Sequence, residues 1–223
     1  HKNRSIGGYQ GYASGNKFVA EGLPLNTFLM PKYAAVDKTN GLPMWYKDIL
    51  GDDGEVIGTT MTSEYSEATE YLCDDPTPTL YGGFGTSFSF YNFDISAAFT
   101  YSIGGLAYDS GYASYMSPPG GTVGSNFHKD VLKAWTPENK DSDVPRFVYQ
   151  DQNINASSDR FLVPASYLNF QNAQIGYTIP SKITSRIKVD RIRVYVACDN
   201  IWYWSYRHGL DPRSSFSGGT NHA

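Results

Sequence analysis

Long apolar runs are missing from this 223-residue sequence, and no stretch approaches the roughly 18 apolar residues that a membrane-spanning helix needs. That argues against a helical membrane protein. It leaves membrane β-barrels untouched, because their strands alternate and average out as polar. Charge is sparse: Asp, Glu, Lys and Arg make up 18% of the chain, and the net charge of -4 argues against a general nucleic-acid binder. Cysteine is nearly absent. Cys73 lies in a loop-like run and Cys198 on the apolar face of a strand, far apart in sequence, so no disulfide scaffold is expected. The four histidines, His1, His128, His208 and His222, all fall in loop-like or terminal contexts and are expected to be exposed and non-catalytic. Gly-x-Ser-x-Gly, Cys-x-x-Cys, His-Glu-x-x-His and a phosphate-binding glycine loop are missing too, so no catalytic residue, cofactor or metal is expected. The first residues, His1-Lys2-Asn3-Arg4-Ser5, carry neither Met nor an apolar leader and read as the start of an internal or processed piece.

Aromatics, by contrast, are abundant. Eighteen Tyr, 12 Phe and 4 Trp make 15% of the chain. Tyr and Trp gather where one end of a side chain is wet and the other apolar, which fits membrane girdles and sugar-binding surfaces alike. Residues 80–109 organise the rest. Phe84, Phe88, Phe90, Ile95, Phe99, Tyr101 and Ile103 alternate with Gly85, Ser87, Ser89, Ser96, Ala98, Thr100 and Ser102. Strict alternation puts the two sets on opposite strand faces. Asn92 and Asp94 read as turn formers between the runs, which makes a β-hairpin. The second face is small and polar yet barely charged, whereas a soluble sheet usually turns Lys, Glu and Arg to water. A secreted β-sandwich, binding glycans through aromatic platforms, would bury one face. A membrane barrel would put the aromatic face in lipid and the small face towards a filled lumen.

Before this hairpin, residues 1–25 show weak strand character near 8–12. An extended segment over 28–36 runs to the Asn40-Gly41 turn, and another follows over 42–49. Gly51, Asp52, Asp53, Gly54 and Glu55 have a calcium-loop flavour without EF-hand spacing, and a solvated turn is expected. Residues 58–79 read as a loop with a short helical turn. After the hairpin, residues 108–160 read as irregular, with a short helix around 126–135. A strand follows over 161–179. Leu168 and Phe170 oppose Ala173, Ile175 and Tyr177 in parity, and a β-bulge near 169–172 reconciles them. In the last strand Ile192, Val194, Val196, Cys198, Trp202 and Trp204 share one parity, and Arg191, Arg193, Tyr195, Ala197 and Asp199 the other.

Length favours the barrel. Ile192 to Trp202 is ten steps, or roughly 33 Å, which at about 40° of tilt matches an apolar band about 25 Å tall. Connections alternate short (91–94), long (106–160) and short (181–190), as periplasmic turns and outer loops do. On this reading Phe84, Phe88, Phe99, Ile103, Val194, Val196, Trp202 and Trp204 face lipid. Arg191, Arg193, Tyr195 and Asp199 face the lumen with Ser87, Ser89, Ser96 and Thr100, because charges within a membrane need water or partners. Lys182, Arg186, Lys188, Arg191 and Arg193 form one basic cluster, expected at a periplasmic turn and the adjoining lumen wall. The long connection is expected on the extracellular side. Its Tyr112, Tyr115, Phe127 and Trp135 are candidate binding contacts, and Pro118, Pro119, Pro137 and Pro145 stiffen it.

Several segments then match a family in order: Leu80-Tyr81-Gly82-Gly83-Phe84, Phe99-Thr100-Tyr101, Trp135-Thr136-Pro137-Glu138-Asn139, Ala165-Ser166-Tyr167-Leu168, Ile175-Gly176-Tyr177-Thr178-Ile179-Pro180, Tyr195-Val196-Ala197-Cys198-Asp199-Asn200 and Gly209-Leu210-Asp211-Pro212. This sequence resembles the SusC/RagA-type TonB-linked outer-membrane proteins of Bacteroidetes. The resemblance implies an all-β fold, the C-terminal part of an antiparallel transmembrane β-barrel of roughly 22 strands, filling residues 1–223 with a long extracellular loop at about 106–160. It implies an importer of oligosaccharides or peptides, not an enzyme. The partners would be a SusD-like surface lipoprotein as lid, TonB through an N-terminal segment outside these residues, outer-membrane lipid and the cargo. A plug and a last aromatic-ended strand are expected elsewhere in the full protein.

Overall fold

The computed structural model describes residues 3–117, 124, 126–149, 151, 153–213 and 221–222. Eight short strands fill the first third: β1 (Asn3–Ile6), β2 (Tyr9–Ser14), β3 (Lys17–Ala20), β4 (Thr27–Pro31), β5 (Tyr33–Val36), β6 (Pro43–Leu50), β7 (Val56–Thr62) and β8 (Glu70–Leu72). They build two antiparallel sheets, β1-β2-β3-β4-β8 and β5-β6-β7. The strand expected near 8–12 is therefore β2, the second strand of a five-stranded sheet. The loop expected over 58–79 is mostly that, with its short helical turn a 3-10 turn at Tyr65–Glu67, but strand was missed at its start, in β7, and at β8. Val56, Ile57, Thr59, Thr60 and Thr62 are β-branched and suit a pleated surface. Residues 51–55 form the β6–β7 turn, closed by Gly51 N–H donating to the Glu55 carbonyl at 2.8 Å.

The longest strands follow: β9 (Leu80–Phe90), β10 (Phe93–Ile103), then β11 (Leu106–Tyr108), α1 (Ser110–Tyr115), β12 (Leu162–Pro164), β13 (Tyr167–Thr178), α2 (Ser181–Thr184) and β14 (Arg193–Ser205). A short pair, β15 (Leu210–Asp211) and β16 (Asn221–His222), ends the order. β14, β13, β10 and β9 lie side by side, each antiparallel to its neighbour, as one wall. The β9–β10 turn is Tyr91 and Asn92 alone, with Tyr91 in the left-handed region at φ 52°. Asp94, expected to form the turn, is instead a β10 residue facing Ser89 across the ladder.

Two bulges set the wall's register. Ala98 pairs with Asn172 but Phe99 with Phe170, so Gln171 is the extra residue, within the span expected for a bulge. A second bulge was not expected. Asn172 pairs with Asp199 and Phe170 with Trp202, which leaves Asn200 and Ile201 opposite Gln171. Asn200 sits at φ 51°, a conformation asparagine tolerates better than most residues.

Apart from α2, the remaining elements gather at one end of the wall, beyond Leu80, Ile103, Tyr167 and Ser205. β11 and β12 close the long connection at its base, so 106–160 is anchored there by a ladder. Ala107, Val163, Ala165 and Leu210 pack beneath it. Residues 73–79 strap the first two sheets to the same place, through Thr79 N–H to the Ile103 carbonyl and Leu106 N–H to the Asp75 carbonyl, both 2.9 Å. The hydrophobic core sits in this cap: Phe18, Phe28, Leu29, Met30, Trp45 and Phe161 are at most 2% exposed. Among the described residues the four-stranded wall contributes no buried apolar side chain. Its buried polar side chains are Ser102 and Asn169.

Candidate functional site

One face of the wall carries nearly every large apolar residue. The register aligns Phe84, Phe99, Phe170 and Trp202 in one row across all four strands. Phe84 stacks on Phe99 at 5.0 Å and Phe99 on Phe170 at 4.5 Å between ring centroids. Such offset pairs add modestly to burial and fix register. Further rows hold Phe88, Ile95, Ile175 and Val196, then Phe90, Phe93, Tyr177 and Val194. Trp204 stands opposite Leu168, and Ile103 opposite Leu80 at the cap end. All eight side chains expected on the lipid side share this face. Phe88, Val194 and Val196 are at least 60% exposed, and no second sheet covers them among the described residues.

The opposite face is polar, with Ser87, Ser89, Ser96, Thr100, Tyr195 and Asp199 along it. Arg193 lies here too, opposite in parity to Val194, and its Nε bonds Asp94 Oδ1 at 3.0 Å. The pair reaches across β13 over Gly176. A Cβ at Gly176 would stand 2.5 Å from the Arg193 guanidinium and 2.6 Å from the Asp94 carboxylate. Glycine is thus the slot for a three-strand ion pair that the sequence reading placed only in half. Arg191 corrects an expectation. β14 begins at Arg193, so Arg191 lies outside the strand, with its Nη2 3.5 Å from the Thr178 hydroxyl. A double-mutant cycle on the full-length protein tests the slot. Asp94→Asn, Arg193→Gln and Gly176→Ala should each lower the urea midpoint, with Asp94→Asn/Arg193→Gln costing less than the sum of its parts. Strict additivity, at low and high salt alike, would remove the pair from the account.

The long connection is folded onto the first two sheets. Trp135 Nε1 donates to the Lys38 carbonyl at 3.3 Å, Arg146 N–H to the Gly41 carbonyl at 2.9 Å, and Lys38 Nζ lies 2.6 Å from Asp141. The Trp135 ring occupies the space a side chain at position 41 would need, 2.5 Å from an ideal Cβ, and Gly41 has φ 76°. Trp135 therefore pins the connection to the β5–β6 turn. Further down, the Tyr65 hydroxyl donates to the Ser157 carbonyl at 2.6 Å and Tyr33 N–H to Asp159 at 2.7 Å.

Tyr112 and Tyr115 do come together, in a cleft of about 750 Å³ with Asp109, His128, Asp130 and Arg207. Asp109 caps α1 by accepting from Tyr112 N–H at 2.9 Å and binds Arg207 at 3.1 Å, although it is only 2% exposed. The Arg207 guanidinium stands 4.0 Å over the Tyr112 ring. Lys133 at 3.0 Å, helped by the Tyr112 hydroxyl, holds the Asp130 carboxyl below the usual carboxylate range. Burial, with Asp130 beside it, pushes the Tyr112 phenol up. Phe127 packs edge-on against Phe147 at 5.1 Å, and Tyr115 is 52% exposed. Pro118 and Pro119 lie outside the described residues. No group of three or more His, Cys, Asp and Glu able to hold a metal occurs among the described residues, and Cys73 and Cys198 are free thiols.

No protein-family model matches the chain. In sequence it is similar to TonB-dependent receptor P3 of Formosa agariphila, 26% identical over 209 residues, which are 92% of this chain and 20% of that receptor. TonB-dependent receptor P26 of the same organism is 26% identical over 145 residues, 64% of this chain and 14% of that one. In backbone the chain is similar to the RagAB peptide importer. The open-open state gives a TM-score of 0.73 with 28% identity over 95% of this chain and 22% of the other. The closed-closed state gives 0.71 with 28% identity over 92% and 23%. The chain thus spans about a fifth of the length of the receptors it matches. Register, exposed aromatic face and both kinds of likeness agree: the chain is SusC/RagA-like, a partial match to a TonB-dependent receptor with the antiparallel strands of its β-barrel.

Proposed function

We propose that this chain is the C-terminal part of the barrel of an outer-membrane, TonB-dependent importer that works with a SusD-like surface lipoprotein as lid. The observation that carries the reading is the inverted wall. Its strands of 11 to 13 residues keep their aromatic and aliphatic side chains outside and bury only polar ones. In water that arrangement wastes the hydrophobic effect; in a bilayer it satisfies it. Phe84, Phe88, Phe99, Ile103, Val194, Val196, Trp202 and Trp204 then meet lipid, while Arg193, Tyr195 and Asp199 meet the lumen. The cap stands outside the cell, where Tyr115 and Phe127 offer exposed rings to lid or cargo. The likeness to the RagAB peptide importer favours peptides over oligosaccharides as cargo.

The test uses the full-length receptor in its own host. It should fractionate with the outer membrane, need detergent for extraction, and drive uptake of labelled oligopeptides. Uptake should vanish when either TonB or the lid lipoprotein is deleted. Recovery from the aqueous fraction without detergent, or uptake indifferent to both deletions, would overturn the proposal. Uptake of oligosaccharides alone would overturn only the choice of cargo.

A further inference from the structure

We propose that the β13–β14 connection, residues 181–191, is a docking site for anionic phospholipid headgroups in the leaflet at the turn end of the wall. This rests on the membrane reading above. The connection lies at the end opposite the cap. Thr178 N–H donates to the Asn92 carbonyl at 2.8 Å, so it adjoins the β9–β10 turn, where Tyr91 is 90% exposed. It is ordered: α2 runs into a 3-10 turn at Ser185–Ile187, Thr184 is 1% exposed, and Val189 N–H returns to the Thr184 carbonyl at 3.1 Å.

Its surface is amphipathic at helical spacing. Ile183 and Ile187, 57% and 61% exposed, lie one turn apart, and so do Lys182 and Arg186 beside them. Lys188 follows in the left-handed conformation at φ 57°. Lys182, Arg186 and Lys188 are exposed and form no ion pair among the described residues, and Asp190 is the one carboxylate in the segment. Tyr177 and Val194 carry the aromatic face up to this connection. Two exposed isoleucines at the end of a lipid-facing band, flanked by three unpaired cations, match the boundary between acyl chains and phosphates. A soluble acidic protein would match the cations but leave the isoleucines in water.

The test places full-length receptor in phosphatidylcholine vesicles with a trace of spin-labelled lipid and measures the motionally restricted fraction. Phosphatidylglycerol should be preferred over phosphatidylcholine by about fivefold at low salt. Lys182→Gln/Arg186→Gln/Lys188→Gln should bring the ratio to about one without changing restricted phosphatidylcholine. Lys182→Gln alone should remove part of the preference, which covers failure of the triple variant to fold. Equal ratios for wild type and both variants, or no preference in wild type, would overturn the site while sparing the membrane reading. An absence of restricted lipid of either kind would overturn both.

Discussion

Arginine introduced along the apolar face of β14 should cost stability in proportion to its depth in the membrane. At Cys198, near the middle of the 13-residue strand, the cost should be about 2–4 kcal/mol; at Val194, beside the turn end, about 0–1; and at Val196 an intermediate amount. Cys198 is the sharpest site because it stands opposite Ala173 and is exposed, so arginine there displaces no packed ring. Ala197→Arg supplies the control. It points to the other face, opposite Gln174, where lumen water can solvate a guanidinium. The measurement is a urea titration of the full-length receptor in vesicles, read by heat-modifiable migration. Equal costs at Val194, Val196, Cys198 and Ala197 would mean that neither face meets lipid.

That gradient can be drawn because the wall was largely legible in the sequence. A period of two exposes both faces at once, and the parity break between Phe170 and Ala173 announced the bulge at Gln171. The bulge on β14 was silent for the same reason. Relative to β10 it inserts two residues, one shared with β13 and one of its own, and two insertions restore parity. The last strand looked the cleanest because its irregularity cancels. The cap was poorly legible. Its strands are two to eight residues long, too short to show a period, and its stability comes from pairings about a hundred positions apart, such as Lys38 with Asp141 and Tyr65 with Ser157. Trp135 illustrates the limit. An amphipathic ring suits a binding surface and a packing contact equally well, and only the empty side-chain position of Gly41 identifies its partner.

Deleting residues 110–157 and joining the ends across a short turn should leave the wall inserted but sharply weaken lid binding and uptake. The deleted stretch contains Ala113, Met116, Ala134 and Ile154, all buried in the cap, and none of it belongs to β9, β10, β13 or β14. The β11–β12 ladder remains to close the connection, since loops joining adjacent strands need only a few residues. Heat-modifiable migration should therefore persist. Lid affinity should fall at least about tenfold, some 1.4 kcal/mol, because the exposed rings that serve as anchors go with the loop. Two gentler variants apportion that loss. Tyr115→Ala/Phe127→Ala removes exposed rings and leaves the Trp135 clasp, so it should weaken the lid and spare the fold. Gly41→Ala forces a Cβ into the Trp135 ring at a left-handed position and should loosen the loop without touching the exposed rings. If affinity drops only with Gly41→Ala, the loop acts by shaping the cap. If the deleted receptor keeps wild-type lid affinity and transport, the loop has no part in capture.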